Sequence, residues 1–568
     1  MKTARLKPVV QRRARLEQRY PAWRTLTIAQ LQDRATLEHP ERPLILTGGR
    51  SMTYREVQEE SRKIASGLIA AGAKAGDHIA LLMANFPEFI LVKLAIARAA
   101  CTCVPVNYLL HGEALGYVLA QSDSRFVVTM DGWNGLDYLA DLDALAPSLP
   151  GLEARFVLQT GQGSAQTCET LADLAARATP ASDAELARRE AAADGNAISD
   201  IIYTSGTTGR PKGAMLTHDM VLRAAYSSVL TRAFEDGRRI QYAMPMYHVF
   251  GYVECLIACI FVNGAVIPHP AFDATEMLDW AERFGANDIV CVPLMTHRLI
   301  DAARSRGFDT TALHTFFNSG GVNVPTVWAE IRETFGVDEI HTGYGMTETT
   351  ASTTCSRVED GEDALLHSNG RIKLAGAAGD PAIGGVVAEY RVVDPVSGAV
   401  LPHGAAGELQ ARGPIVTRGY YNKPDETRDV FTADGWLHTG DVGTLSAEGW
   451  LSLTGRIKES YRCGGEMVMP REIEAIFDNY PGLTQTLVVG IPDRKMGEVG
   501  CLCIVESGSP APPSDEELLS LCREKLARFK VPKHVLRLRA GDIPLTATGR
   551  PQKFRLAELA ARMVREKA

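Results

Sequence analysis

The strongest chemical signal in the chain lies between Tyr203 and Gly213, which reads YTSGTTGRPKG. Thr204, Ser205, Thr207 and Thr208 supply hydroxyls, Gly206, Gly209 and Gly213 carry no side chain, and Lys212 adds a mobile ammonium. Glycine lets backbone N–H groups approach an anion closely. Hydroxyls add donors and the lysine adds charge. Together they suit a polyphosphate. The GxxxxGK[ST] spacing is absent, so the segment is not the phosphate loop of a P-loop NTPase. Gly343 and Gly345 form a GxG that lacks the third glycine of a dinucleotide fingerprint.

Such a loop needs strands to hold it. Ala197–Tyr203 runs into it as a strand. Upstream, His78–Met83 and Arg125–Met130 read as strands and Phe86–Ala100 as a helix. Further strands are expected near Ile201, Ile240, Val266, Ile289 and Thr315, with helices between them. This alternation predicts an α/β chain with largely parallel sheets. Thr160–Asn196 is rich in Ala, Gly, Glu and Arg, has little hydrophobic periodicity, and reads as a surface excursion. After about Gly384 the character changes: residues 386–412 and 435–454 alternate apolar and polar, which predicts antiparallel β structure. From about Lys458 a smaller β/α pattern returns. A boundary near Gly455–Lys458 leaves a C-terminal domain of roughly 110 residues, a normal domain size.

The whole chain, 568 residues with 45% hydrophobic content, is long enough for several cores and has the composition of a soluble globular protein. A formal net charge of −8 argues against a nucleic-acid binder held by bulk electrostatics. Eleven cysteines are scattered without zinc spacing, and the CxC pairs Cys101/Cys103 and Cys501/Cys503 read as packing positions. Reduced thiols and an N-terminus without an apolar stretch point to the cytoplasm. Val249–Ile267 approaches the length of a membrane span, but Glu254, Asn263 and two glycines make it a buried helix followed by a strand. The first 24 residues hold eight Lys/Arg against Glu17, which reads as a solvated arm or a weak contact with anionic lipid.

In order along the chain stand YTSGTTGRPKG, Pro245-Met-Tyr-His248, Ser319-Gly-Gly-Val322, Tyr344-Gly-Met-Thr-Glu348, His438-Thr-Gly-Asp441 and Thr454-Gly-Arg456. With them the sequence resembles the adenylate-forming, AMP-binding superfamily of acyl-CoA synthetases, luciferases and peptide-synthetase adenylation domains, from about Thr27 to the C-terminus. The resemblance implies a large N-terminal domain, residues 1–456, with parallel-rich sheets and a β subdomain. It also implies a small mobile α+β domain, residues 457–568, that turns about Lys458. In that family the 203–213 loop with Lys212 holds the β- and γ-phosphates of ATP, and His248 borders an acyl pocket that here includes Tyr247, Phe250 and Gly343. Gly320 and Gly321 line the adenine and acyl sites. Tyr344, beside Gly345, stacks on adenine, Thr347 contacts the α-phosphate, and Glu348 holds Mg²⁺, an apt oxygen ligand for a hard cation shared with phosphates. Asp441 takes the ribose hydroxyls, Arg456 supports the same nucleotide, and Gly464 and Gly465 face the channel for CoA.

The chain departs from the family near its end. Pro544–Lys553 reads PLTATGRPQK, so Arg550 stands where the family carries a catalytic lysine. Arginine keeps the charge but is planar and forked. Either Arg550 does the lysine's work, or Lys553 swings in, or the substrate is not an ordinary carboxylate. Glu459 and Met467 also differ from many relatives. The resemblance implies that a small-molecule carboxylic acid, ATP and CoA meet on a monomer or homodimer, without nucleic acid or a transmembrane span. The acid becomes acyl-AMP with release of pyrophosphate, then a thioester. Apolar pocket segments favour a medium- or long-chain fatty acid or an aromatic acid. Alternatives are a carrier-protein, amine or nitrite-activating enzyme, or a nucleotide-binding protein that has lost turnover.

Overall fold

The computed structural model describes residues 6–164, 168–204, 210–321, 325–464, 466–507, 512–545 and 551–567. Two parallel-rich sheets form the large part. The first runs Glu339–His341, Thr315–Asn318, Asp288–Cys291, Arg239–Tyr242, Ala265–Pro268 and Pro43–Ile45, all parallel, with Met52–Thr53 antiparallel at one edge. The strands Ala265–Pro268, Asp288–Cys291 and Thr315–Asn318 are buried at every position, as expected when helices cover both faces. The second runs Lys212–Thr217, Ile198–Thr204, Thr102–Pro105, His78–Leu82, Ser124–Met130 and Ala154–Leu158. Only its first strand is antiparallel to the rest.

Residues 249–260 are helical and, apart from the half-buried Phe250, buried, with a π-helical stretch at Tyr252–Ile257, and the strand Ala265–Pro268 follows. No helix among the described residues is long and apolar enough to cross a membrane. The ten cysteines other than Cys168 are buried free thiols.

Two expectations are corrected. The 160–196 stretch lies largely at the surface, but its described residues are not irregular: they hold helices Leu171–Ala176 and Pro180–Ala191, each opened by a threonine capping box. Leu174 and Leu186 reach the core, and Arg189 donates to the carbonyls of Ala99 (2.8 Å) and Ala73 (3.0 Å). The apolar stripe is too sparse to register as periodicity; the caps and a buried arginine fix the segment instead. Nor is the basic N-terminus a solvated arm. It forms a helix, Val9–Arg19, whose Arg12 is buried and donates to Ala233 O at 2.6 Å and to Glu339. Arg13 donates to Leu230 O (3.0 Å) and Thr231 O (2.7 Å). These arginines cover carbonyls at the end of the helix His218–Thr231, which lack partners within that helix.

Beyond residue 384 the strands Glu389–Val393, Gly407–Arg412, Leu437–Leu445 and Leu451–Arg456 form an antiparallel sheet. A three-stranded antiparallel sheet, Gly343–Met346, Ala351–Cys355 and Arg371–Ile372, lies beside it, bridged through Arg371 and Trp450. The C-terminal part has its own sheet, centred on Leu483–Asp493 and Gly497–Glu506, and its own core between Tyr461 and Ala560. The largest core cluster of the molecule spans Leu16 to Ile415 instead. The molecule is thus mixed α/β, with a large N-terminal and a small C-terminal domain.

Candidate active site

The strands Ile198–Thr204 and Lys212–Thr217 form a hairpin with Thr204 opposite Lys212. The hydroxyl- and glycine-rich residues between these strands, Ser205, Gly206, Thr207, Thr208 and Gly209, lie outside the described residues. The flanks are firmly seated. Tyr117 OH donates to Pro211 O at 3.1 Å, Tyr203 OH to Gln121, and the backbone N–H of Tyr421 to Gly213 O at 2.9 Å. The Lys212 ammonium sits 4.8 Å from the centre of the Tyr420 ring. Tyr420 OH in turn donates to Glu348 Oε1 at 2.8 Å.

Glu348 belongs to a tight turn after the strand Gly343–Met346. The turn Thr347–Thr349 runs into Thr350 and Ala351, with φ of 53° and 91°, before the chain returns as Ala351–Cys355. Two consecutive non-glycine residues in the left-handed region are costly and must be held by their surroundings. Gly345 permits the turn, because a Cβ there would collide with the Ala351 carbonyl. Gly345→Ala is therefore expected to cost about 1–3 kcal/mol of stability, as overpacking of a tight interior does. Urea unfolding measures that loss, and AMP affinity should fall with it.

Strand Gly343–Met346 also carries Tyr344, whose hydroxyl donates to Asp441 Oδ2 at 2.7 Å. Asp441 faces Arg456 across the Leu437–Leu445/Leu451–Arg456 pairing and is bound by Arg456 Nε at 2.8 Å. Asp441 is 3% exposed and Glu348 6%. Burial pushes the Glu348 carboxyl above its ordinary range, against the opposing pull of Tyr420 OH and Arg456. Lys458, in the short turn Ile457–Glu459, is pushed below the ordinary lysine range by burial and by Lys212 and Arg456, while Glu348 pulls it back. Lys212, Arg456 and Lys458 thus gather three cations in one place, which a polyanion could engage.

On the other side of Gly343, Ser319 Oγ donates to its carbonyl at 2.7 Å. Gly320 takes φ of 85°, and a Cβ there would press within 3.2 Å of Val292. Gly321 lies against Pro293. Phe250 meets Phe317 edge-on at 5.4 Å, and Tyr247 meets Tyr108 edge-on at 5.5 Å. His248 starts the helix beside them, its Nδ1 accepting from the Phe250 N–H at 3.2 Å. The structure thus sets Gly320 beside Phe250 and Val292 and ties Ser319 to the strand that carries Tyr344, while Tyr247 packs on Tyr108.

In the C-terminal part, Gly464, with φ of 62°, turns the hairpin Tyr461–Cys463/Glu466–Val468; Gly465 lies outside the described residues. Arg550 does too. Lys553 is placed against carboxylates of its own domain, 2.7 Å from Glu474 and 3.5 Å from Glu459. Glu474 is buried and needs a cation, which holds Lys553 there rather than beside Glu348. Among the described residues, no group of three or more His, Cys, Asp or Glu could hold a metal ion. A hard cation at Glu348 would thus have to complete its shell with phosphate oxygens or water, which is how Mg²⁺ is bound beside nucleotides.

The sequence motifs did not expose two features. One is Tyr420, between Lys212 and Glu348. The other is a buried ion pair, Glu254 with Lys373, behind the strand Ala351–Cys355. The buried charge of Glu254 within an apolar helix was the one available signal for the second.

Comparison with known proteins agrees with this geometry. Residues 31–421 match the AMP-binding enzyme family, and residues 472–550 match the AMP-binding enzyme C-terminal domain. A 3-(7a-methyl-1,5-dioxo-octahydro-1H-inden-4-yl)propanoyl:CoA ligase of Mycobacterium tuberculosis is 31% identical, over 94% of this chain and 99% of that protein. A feruloyl-CoA synthase of Amycolatopsis is 30% identical, over 87% of this chain and 92% of that protein. The solved structure of ATP-bound MatB from Rhodopseudomonas palustris superposes with a TM-score of 0.81 at 27% identity, covering 95% of this chain and 100% of that one. The chain belongs to the adenylate-forming, AMP-binding enzyme family, among its AMP-forming acyl-CoA synthetases.

Proposed function

We propose that this acyl-CoA synthetase activates a medium- or long-chain aliphatic acid or an aromatic acid, with Asp441, Tyr344 and Arg456 holding the nucleotide. The observation that carries the reading is the pair of linked contacts around one cleft: Tyr344–Asp441–Arg456 on one side and Lys212–Tyr420–Glu348 on the other. A carboxylate is a poor electrophile because its leaving group is oxide. Its oxygen attacks the α-phosphorus of ATP, and the bond to the bridging oxygen breaks, releasing pyrophosphate. Such chemistry is mainly positioning and charge stabilisation. Lys212 and the hairpin tip neutralise the departing pyrophosphate, and Thr347 reaches the α-phosphate. Glu348 is the residue that would hold Mg²⁺, which when bound shields phosphate charge. In the second half-reaction the CoA sulfur attacks the acyl carbonyl, losing its proton to solvent, and AMP leaves.

Between the halves the C-terminal domain turns about Lys458, whose short 3₁₀ turn is the narrow link that a hinge needs, and brings Gly464 and Gly465 to the CoA channel. The aromatic residues Tyr247, His248 and Phe250 support an acid larger than acetate; the indenyl-propanoyl and feruloyl groups in the relatives' names agree with that size. A panel of acids scored by CoA-dependent AMP release tests the assignment. Aliphatic or aromatic acids of medium or greater length should exceed acetate; a preference for acetate refutes it.

Arg550 supplies the charge that the family places with lysine. Arg550→Ala should slow adenylation by about 3–4 kcal/mol, roughly 10²–10³-fold, the usual effect of removing one such donor. Arg550→Lys should retain most of the rate. A second reading keeps the adenylation but gives it a carrier thiol or amine as acceptor, or nitrite as substrate. Trapping the adenylate and varying the nucleophile separates these from CoA ligation.

A further inference from the structure

The segment Thr417–Tyr421 is stitched to both halves of the cleft. On one side the Thr417 N–H donates to the Glu348 carbonyl at 2.7 Å. On the other, Thr417 Oγ1 donates to Met215 O at 2.9 Å, and Met215 N–H donates to Gly419 O at 2.9 Å. Ala214 and Tyr420 form an isolated antiparallel bridge beside them. Gly419 takes φ of 114°, where a Cβ would run into Thr427, and Thr427 Oγ1 accepts the Tyr420 N–H at 2.9 Å. The backbone of Tyr420 is therefore fixed on both sides, and its side chain, 6% exposed, has little freedom.

What that side chain touches is specific. Its hydroxyl reaches the Glu348 carboxylate at 2.8 Å, and its ring lies under the Lys212 ammonium at 4.8 Å. An ammonium over an aromatic face is attracted by the ring quadrupole. A hydrogen bond to a charged acceptor orients that acceptor. One residue thus aims the two groups that the reaction needs at opposite ends of the triphosphate. Without it, Lys212 and Glu348 carry opposite charges in one cleft and would be free to pair with each other instead of with substrate.

We propose that Tyr420 is a positioning residue for adenylation: its hydroxyl sets the Glu348 carboxylate, and its ring sets Lys212. The inference rests on the reading of Glu348 and Lys212 given above, and adds a residue that acts only through them. The two functions separate by substitution. Tyr420→Phe keeps the ring and loses the hydroxyl; Tyr420→Leu loses both.

The test is calorimetric binding of ATP to the full chain in EDTA, alongside the Mg²⁺ concentration that gives half-maximal pyrophosphate exchange, with thermal melting as the control for folding. Tyr420→Phe should bind metal-free ATP as the native chain does, yet need about tenfold more Mg²⁺, the scale of one lost hydrogen bond to a charged group. Tyr420→Leu should in addition weaken metal-free ATP binding by about fivefold, the scale of one cation–π contact. An unchanged Mg²⁺ requirement in Tyr420→Phe, or native metal-free affinity in Tyr420→Leu, overturns the proposal. Glu348→Gln run in parallel tells two failures apart. If it raises the Mg²⁺ requirement while Tyr420→Phe does not, Tyr420 alone is misassigned. If neither does, the assignment of Glu348 falls as well.

Discussion

On the nucleotide assignment proposed above, replacing Asp441 with alanine is expected to weaken AMP binding by about 3 kcal/mol or more, roughly 100-fold, because the carboxylate that would take both ribose hydroxyls is lost. The position explains the size. Asp441 is 3% exposed and already carries the Tyr344 hydroxyl at 2.7 Å and Arg456 at 2.8 Å. Its removal leaves Arg456 without its carboxylate beside Lys458 and Lys212, and leaves the ring of Tyr344 untethered at its far end. Asp441→Asn should fall between alanine and the native residue, since the amide oxygen still accepts but without charge. Calorimetry with AMP reads the effect directly. Native affinity in Asp441→Ala would mean that the nucleotide sits elsewhere in the cleft.

The second large effect concerns stability. Glu254 and Lys373 are both fully buried, with Glu254 Oε1 and Lys373 Nζ 3.4 Å apart. Lys373 also donates to Ala224 O (3.2 Å), Ser228 Oγ (2.6 Å) and Ser352 Oγ (3.2 Å), so its three protons are well provided for. Glu254 accepts the Ser352 N–H at 3.2 Å. Ser352 is the residue directly after the left-handed pair Thr350 and Ala351, and it pairs with Gly345. The ion pair therefore clamps the strained turn below Thr347 and Glu348. Glu254→Ala should cost about 3–5 kcal/mol, because it strands a buried ammonium. The double change Glu254→Leu with Lys373→Met removes both charges and should recover much of that loss. Urea unfolding followed by tryptophan fluorescence measures both variants. A single variant as stable as the native chain would show that the pair does not hold the turn.

Local signals in the sequence were enough for the sheets and for the motifs on their ends. Apolar runs such as 78–82, 265–268 and 288–291 are strands buried on both faces, and nothing else fits their length and composition. Residues 386–412 and 435–454 alternate and do form antiparallel strands. Tyr344 and Asp441 lie 97 residues apart, yet each was marked by its own short motif. Tyr420 was not: its meaning lies in a bond to Glu348, 72 residues away, and a tyrosine between a glycine and another tyrosine carries no local mark of that. Lys373 finds Glu254 across 119 residues, and no periodicity announces such a pairing. The misread N-terminus has the same origin. Its arginines looked solvated because their acceptors, the carbonyls ending the helix His218–Thr231, are more than 200 residues distant.

The most direct test of the reaction is exchange of labelled pyrophosphate into ATP, run with the full chain and a panel of carboxylic acids in the absence of CoA. Reversible adenylation predicts exchange that depends on the acid, stops in Asp441→Ala, and gives way to net AMP release once CoA is added. Exchange absent with every acid, or exchange that proceeds equally without one, would contradict it.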